Sequence, residues 1–135
     1  MKIYFAGSIR GGRDDQEIYK NIIEVLQNFG KVLTEHVGKK EVNSEGEPGL
    51  GDEEIYERDK EWINEADVIV AEVTTPSLGV GYEIGYAESL QKKVICLWRE
   101  VEGKRVSAML RGNKNVTILK YTEVSDVENL LKGNI

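Results

Sequence analysis

The chain has 135 residues, 40% hydrophobic and 31% charged, with a formal net charge of -6 at pH 7. This predicts one soluble domain over residues 1–135 and excludes a general nucleic-acid or anionic-membrane surface, which needs a basic footprint. No apolar run can span a bilayer, no signal-like pattern opens the chain, and the one cysteine, Cys96, sits in an apolar stretch where no intramolecular disulfide can form; the expected location is cytoplasmic.

Lys2-Ile-Tyr-Phe-Ala6 is a β-prone run that stops at Gly7-Ser-Ile-Arg-Gly-Gly12, a glycine-rich turn with a hydroxyl and a guanidinium. A helix from Arg13 to Phe29 follows, with Ile18, Ile22, Val25, Leu26 and Phe29 as its inward stripe and Gly30 as its end. The turn lacks the Gly-Lys-Ser/Thr ending of a triphosphate loop. Ser8, Arg10 and its free amides suit a single phosphate group, with a plain tight turn as the alternative.

Lys31-Val-Leu-Thr34 reads as a second strand that delivers Glu35 and His36 to its C-terminal end, the ligand side of an open α/β sheet. His36, the only histidine, is a binding candidate. Gly38 to Gly51 is polar and aperiodic, as expected of a mobile lid. From Asp52 to Ala66 a helix is predicted whose apolar face is Ile55, Trp62, Ile63 and Ala66, and Asp59 falls on that face. Asp67 to Val73 is a nearly continuous apolar run, the pattern of a strand covered on both sides.

The next stretch, Thr74-Thr-Pro-Ser-Leu-Gly-Val-Gly-Tyr-Glu-Ile-Gly-Tyr-Ala87, opens a helix near Leu78. Val80, Glu83, Ala87 and Leu90 share one face at helical spacing, which turns the Glu83 carboxylate inward. Gly79, Gly81 and Gly85 each cost about 1 kcal/mol of helix propensity, so either a ligand or the sheet is expected to come close to this backbone. A dinucleotide fingerprint is disfavoured: the spacing is one residue too long, and Glu83 would repel a pyrophosphate. Two acids on successive core-facing helices can be structural ion pairs. Left unneutralised, they raise each other's pKa and divide into a proton donor and a nucleophile or base.

Lys93 to Trp98 and Val116 to Lys120 supply two more strands, and Glu123 to Leu131 a closing helix. Five strands alternating with helices predict a doubly wound, Rossmann-like or flavodoxin-like parallel sheet with helices on both faces. The connection Arg99 to Gly112 holds Ser107, Ala108, Met109 and Leu110, a small apolar segment suited to a subunit contact. No histidine or cysteine spacing suits a metal, and no serine sits in a nucleophile elbow.

Tyr4-Phe-Ala-Gly-Ser-Ile-Arg-Gly-Gly12, Leu33-Thr-Glu-His36, Asp59 with Trp62, Ala66 to Val73, Pro76 to Gly85 and Ser107 to Gly112 together resemble the 2'-deoxynucleoside 5'-monophosphate N-hydrolases, relatives of the nucleoside 2-deoxyribosyltransferases. The resemblance runs along almost the whole chain. It implies a cofactor-free enzyme that releases a free base and 2-deoxyribose 5-phosphate from a deoxynucleoside monophosphate. Glu83 would be the nucleophile, Asp59 would handle the proton on the departing base, and Tyr4 would position Glu83. Gly7, Ser8, Ile9, Arg10, Ser77 and Ser107 would hold the 5'-phosphate, the Ser107 segment coming from the other subunit of a homodimer. Tyr19 and His36 would border the sugar or base, and Phe5, Ala6, Gly79, Ala108 and Met109 would complete the substrate contacts.

Three other readings stand beside this one: a deoxyribosyltransferase using the same ester, a CMP-type ribonucleotide N-glycosidase, and a module that binds a nucleotide monophosphate without turning it over.

Overall fold

The apolar runs form five strands, β1 (Lys2–Ala6), β2 (Lys31–Val32), β3 (Val68–Glu72), β4 (Lys93–Arg99) and β5 (Val116–Tyr121). Between and after them lie α1 (Gln16–Leu26), α2 (Asp52–Glu65), α3 (Leu78–Ser89), the short α4 (Ala108–Arg111) and α5 (Val127–Lys132). This computed structural model describes residues 1–9, 15–39 and 46–135. All strand pairs are parallel, in the order β2-β1-β3-β4-β5. The expected doubly wound α/β sheet is therefore the observed fold.

Strand alternation divides the core in two. Ile3, Phe5, Val68, Val70, Ile95 and Leu97 pack with Tyr19, Ile22 and Leu26 of α1 and Leu131 of α5. Tyr4, Ala6, Ile69, Ala71, Val94 and Cys96 face the other way, against Ile63 of α2 and Val80, Ile84 and Ala87 of α3. Every residue of β3 is buried because both of its faces are covered, as its unbroken apolar run required. The strand order reverses between β1 and β3, where Phe5 stands beside Val70 and Ala6 beside Ala71. A crevice outside the C-terminal ends of these two strands is the expected ligand position.

Two boundaries and one helix face differ from the sequence reading. β2 holds only Lys31 and Val32, since the Thr34 hydroxyl accepts from the Phe5 amide at 2.8 Å and donates to the Phe5 carbonyl at 2.7 Å. The side chain thus occupies the groups that a longer ladder would use, and Glu35–Gly38 coils into a 3-10 turn. The inward stripe of α1 is centred on Tyr19, Ile22, Ile23 and Leu26, while Ile18, Val25 and Phe29 are only partly buried. The closing helix begins late, because Glu123 and Asp126 form a capping box around the 3-10 turn Val124–Asp126. Residues 40–45 of the expected lid and Arg13 at the expected start of α1 lie outside the described residues. Among those described, no helix is long and apolar enough to cross a membrane.

An ion pair between a half-buried arginine and a buried aspartate ties the site end of the sheet together. Arg99, closing β4, donates to Asp15 at the start of α1 across 2.8 Å, and its amide donates to the Thr74 hydroxyl at 2.9 Å. Asp15 is 6% exposed, so an arginine deletion strands a buried carboxylate. Arg99→Ala is expected to cost about 3 kcal/mol in urea unfolding, and adding Asp15→Asn should restore part of the loss. Equal stability of Arg99→Ala and the native chain would contradict the pairing.

Candidate active site

Glu83 reaches the site because α3 begins where it does. The Ser77 hydroxyl accepts from the Val80 amide at 3.3 Å and caps the helix, while Val80, Ile84 and Ala87 fix its buried side against the sheet. Glu83 lies beside that stripe, partly buried. Beneath it Tyr4 rises from β1, 2% exposed, and its hydroxyl hydrogen-bonds to the Glu83 carboxyl.

Asp59 faces Glu83 from α2. Both line a cavity of about 290 Å³ whose walls include Ile55, Tyr56, Ile63, Gly79 and Tyr82. A larger cavity of about 450 Å³ lies among Trp98, Lys104, Arg105, Val106 and Arg111, but no carboxylate lines it. Acid–base chemistry therefore belongs to the smaller one. A Cβ at Gly79 would sit 3.8 Å from the Ser77 hydroxyl and 3.9 Å from Glu83 Oε1, in ordinary van der Waals contact with both.

Burial pushes the Glu83 carboxyl up to about 8; the Tyr4 hydrogen bond opposes the rise and the Asp59 charge adds to it. Burial also raises Asp59, against two hydrogen bonds from Arg58. Tyr4 is raised well above an ordinary tyrosine, first by burial and then by Glu83. At neutral pH the resting site therefore holds a proton on Glu83, next to a carboxyl that can receive it.

A second layer surrounds Asp59. Arg58 donates to both oxygens of Glu47, at 2.6 and 2.8 Å, while its Nε and Nη2 reach Asp59 Oδ1 at 3.0 and 2.8 Å. His36 lies 3.0 Å from Glu47, and burial lowers its pKa. The Arg58 guanidinium stacks 4.6 Å from the Trp62 ring, which also meets His36 at 5.6 Å. Among the described residues no group of three or more His, Cys, Asp or Glu side chains could hold a metal ion.

Residues 3–119 match the family model described as nucleoside 2-deoxyribosyltransferase. The chain belongs to that family. It is similar to the 5-hydroxymethyl-dUMP N-hydrolase of Danio rerio, 48% identical over 98% of this chain and 94% of the relative. The Homo sapiens protein of the same description is 53% identical over 96% of this chain and 76% of its own length. A "Putative 2'-deoxynucleoside 5'-phosphate N-hydrolase 1" of Nematostella vectensis is 53% identical over 96% of this chain and 90% of its own. Among solved structures, a CMP N-glycosidase of Clostridium botulinum superposes with a TM-score of 0.71 at 20% identity, covering 100% of both chains. It has the same fold.

The family fold brings Tyr4, Asp59, Glu83 and Gly79 together and sets other expected residues around them. Phe5 and Ala6 are buried in β1. A Cβ at Gly7 would stand 3.0 Å from the Tyr19 ring and 3.2 Å from Phe5, tight enough that these rings would have to give way by a few tenths of an ångström. Tyr19 itself is fully buried against Phe5, and its hydroxyl accepts from the Ser8 amide at 3.1 Å. It shapes the Gly7–Ser8 backbone from behind the loop. Ser8 is also fully buried, with its hydroxyl unpaired, and Ile9 packs on the core. Arg10 lies outside the described residues. Ser77 caps α3, and Ser107 caps α4 by accepting from the Met109 amide at 3.2 Å. Ser107, Ala108 and Met109 are exposed and do not line the Glu83 cavity.

Gly81 and Gly85 have nothing within 4 Å of a built Cβ, so the sheet does not come close to either. Leu90, expected on the inward face, is 38% exposed at the end of α3. Sequence reasoning missed Arg58, Glu47, Tyr56 and Tyr82. Arg58 had one signal, its position four residues before Trp62, where a cation can lie over an aromatic ring.

Glu83 has a stability cost whose sign is fixed. A carboxyl raised to about 8 in the folded chain stabilises it relatively at low pH, and that contribution is lost as pH rises through about 8. Glu83→Gln is therefore expected to match the native chain in urea unfolding near pH 4 and to exceed it by about 2–3 kcal/mol at pH 9, after allowance for partial exposure. A difference that does not change with pH would rule out this buried acid.

Proposed function

We propose that the chain hydrolyses the N-glycosidic bond of 2'-deoxynucleoside 5'-monophosphates to a free base and 2-deoxyribose 5-phosphate. The observation that carries this reading is the facing of Glu83 and Asp59 across one small cavity, with Tyr4 bonded to Glu83 from below. The N-hydrolase descriptions of relatives at 48% and 53% identity support it.

In this reading the resting proton of Glu83 moves to Asp59 as substrate binds. The Glu83 carboxylate then attacks C1' as the C1'–N bond breaks, and the base leaves with the bonding pair and the Asp59 proton. Asp59, again a carboxylate, takes a proton from the water that attacks C1', and Glu83 is released from the deoxyribosyl ester. Both steps pass through an oxocarbenium-like state, following the logic of retaining glycosidases. A sugar without a 2'-hydroxyl forms that cation more readily, which favours deoxy substrates.

The 5'-phosphate would be held by the Gly7–Arg10 loop and Ser77, and by Ser107 of the partner subunit in a homodimer. Leu78 and Met109, 96% and 82% exposed, give such a dimer apolar surface to cover. A cytoplasmic place of action accords with a lone, buried cysteine.

The test is incubation with 5-hydroxymethyl-dUMP, dGMP, GMP, CMP and deoxyguanosine, each with and without an acceptor base, followed by chromatography. Base release from the deoxynucleoside monophosphates alone is expected, with kcat/KM falling as pH rises through about 8, where the free enzyme loses the Glu83 proton that is passed to Asp59. Glu83→Ala should lower kcat by at least about 10³-fold, since the ester can no longer form. Sugar transfer from deoxyguanosine to an added base would replace the hydrolase by a transferase, and turnover of CMP or GMP by a ribonucleotide glycosidase. Binding without turnover would reduce the chain to a nucleotide-binding module.

A further inference from the structure

Neighbouring residues on a helix point about 100° apart, so the contact between Arg58 and Asp59 needs a specific construction. Trp62, one turn on, gives the arginine stem a surface to fold along, with the guanidinium 4.6 Å from its ring. Glu47, from the segment ahead of α2, then grips two guanidinium nitrogens, and His36 Nε2 meets the same Glu47 Oε1 at 3.0 Å and Arg58 Nη2 at 3.4 Å. With the fork so fixed, Nε and Nη2 both converge on one oxygen, Asp59 Oδ1. No hydrogen bond within the described residues reaches Oδ2.

We propose that Arg58 is a positioning residue: anchored by Glu47 and Trp62, it clamps Oδ1 of Asp59 so that Oδ2 is the oxygen presented to the leaving base. The proposal rests on the N-hydrolase reading above and assigns a task that neither catalytic carboxyl can perform for itself. A free aspartate rotates about χ2 and offers either oxygen, whereas proton transfer to a base needs one oxygen at hydrogen-bond distance along one direction. The clamp also couples the segment holding Glu47 to the chemistry, since releasing Glu47 frees the guanidinium. Groups facing Asp59 are Arg58 on its own helix, Glu47 and His36 from the preceding segment, Glu83 from α3 and Tyr4 from β1. Of these, Arg58 is the one that donates hydrogen bonds to it.

The experiment combines steady-state kinetics on 5-hydroxymethyl-dUMP and dGMP with ¹³C carboxyl titration of Asp59, in the native chain, Arg58→Gln, Arg58→Lys and Glu47→Gln. Arg58→Gln is expected to lower kcat by about 10- to 100-fold, the scale of a catalytic group moved by about 1 Å, with KM within threefold. Asp59 should titrate at higher pH in that variant, because a favourable charge has gone. Arg58→Lys should return the titration most of the way while kcat stays low, since an ammonium restores charge but not the fork. Glu47→Gln should lower kcat in the same direction by less. A kcat within twofold of native in Arg58→Gln, or a loss confined to KM, would overturn the positioning role. If Arg58→Gln does not fold, a native kcat in Arg58→Lys overturns it alone. If the native chain cleaves no monophosphate, the N-hydrolase reading fails first, and the titration still decides the clamp: an unmoved Asp59 in Arg58→Gln refutes it.

Discussion

Everything at the site depends on a carboxyl kept partly out of water above a buried phenol. Tyr4 can lie under Glu83 only because β1 is an interior strand whose even-numbered residues face α2 and α3. The order β2-β1-β3 sets that position, and the Ser77 cap sets the rotation of α3 that meets it. The Tyr4 hydrogen bond favours the charged form of Glu83, while burial and Asp59 oppose it more strongly. The outcome is an acid raised to about 8, chiefly by desolvation, yet not sealed from ionisation.

The same end of the sheet is held by polar groups that reach across elements. Thr34 bridges the Phe5 backbone, Arg99 joins β4 to α1 through Asp15, and the Thr74 amide donates to the buried Glu72 at 2.7 Å. These ties hold the C-terminal ends of β1, β3 and β4 against one another, which apolar packing lower in the sheet cannot do. Some buried polar atoms there have no partner among the described residues, including Glu72 Oε2, Arg99 Nη1 and the hydroxyl of the fully buried Ser8, the last in the loop read from sequence as a phosphate seat. A buried donor without a partner is costly unless something completes it.

Much of the fold could be read directly. Continuous apolar runs locate β3 and β4, and helical spacing alone puts Asp59 and Glu83 on inward faces. Periodicity works there because it reports the direction of a Cβ, and both carboxyls lie where their Cβ points, on the walls of one cavity. It failed where a side chain travels. Thr34 looked like strand and ended one, because its hydroxyl took the backbone bonds of Phe5. Tyr19 lies on the inward stripe of α1 but supports the Ser8 loop from within the core. Arg58 was invisible because its guanidinium meets residue 47 across an aperiodic segment and bends back to its own neighbour. Such contacts belong to tertiary geometry and leave no period.

The two acids also explain why their surroundings are mostly apolar. Ile55, Ile63 and the rings of Tyr56 and Tyr82 give the cavity apolar walls, though the two tyrosines are themselves exposed, and apolar surface beside the acids strengthens the electrostatic interactions between them. In water two neighbouring carboxylates would both ionise and neither would hold a proton for a leaving base. In the proposed reaction one proton stays with the pair, on Glu83 until an arriving substrate makes its carboxylate the more favourable form. Arg58 then biases which partner gives the proton up, since its charge favours the anion at both acids but its hydrogen bonds go only to Asp59. A proton handed to Asp59 therefore sits on an acid that the guanidinium already pulls towards ionisation. That is the condition a proton donor needs in order to release it to the departing base.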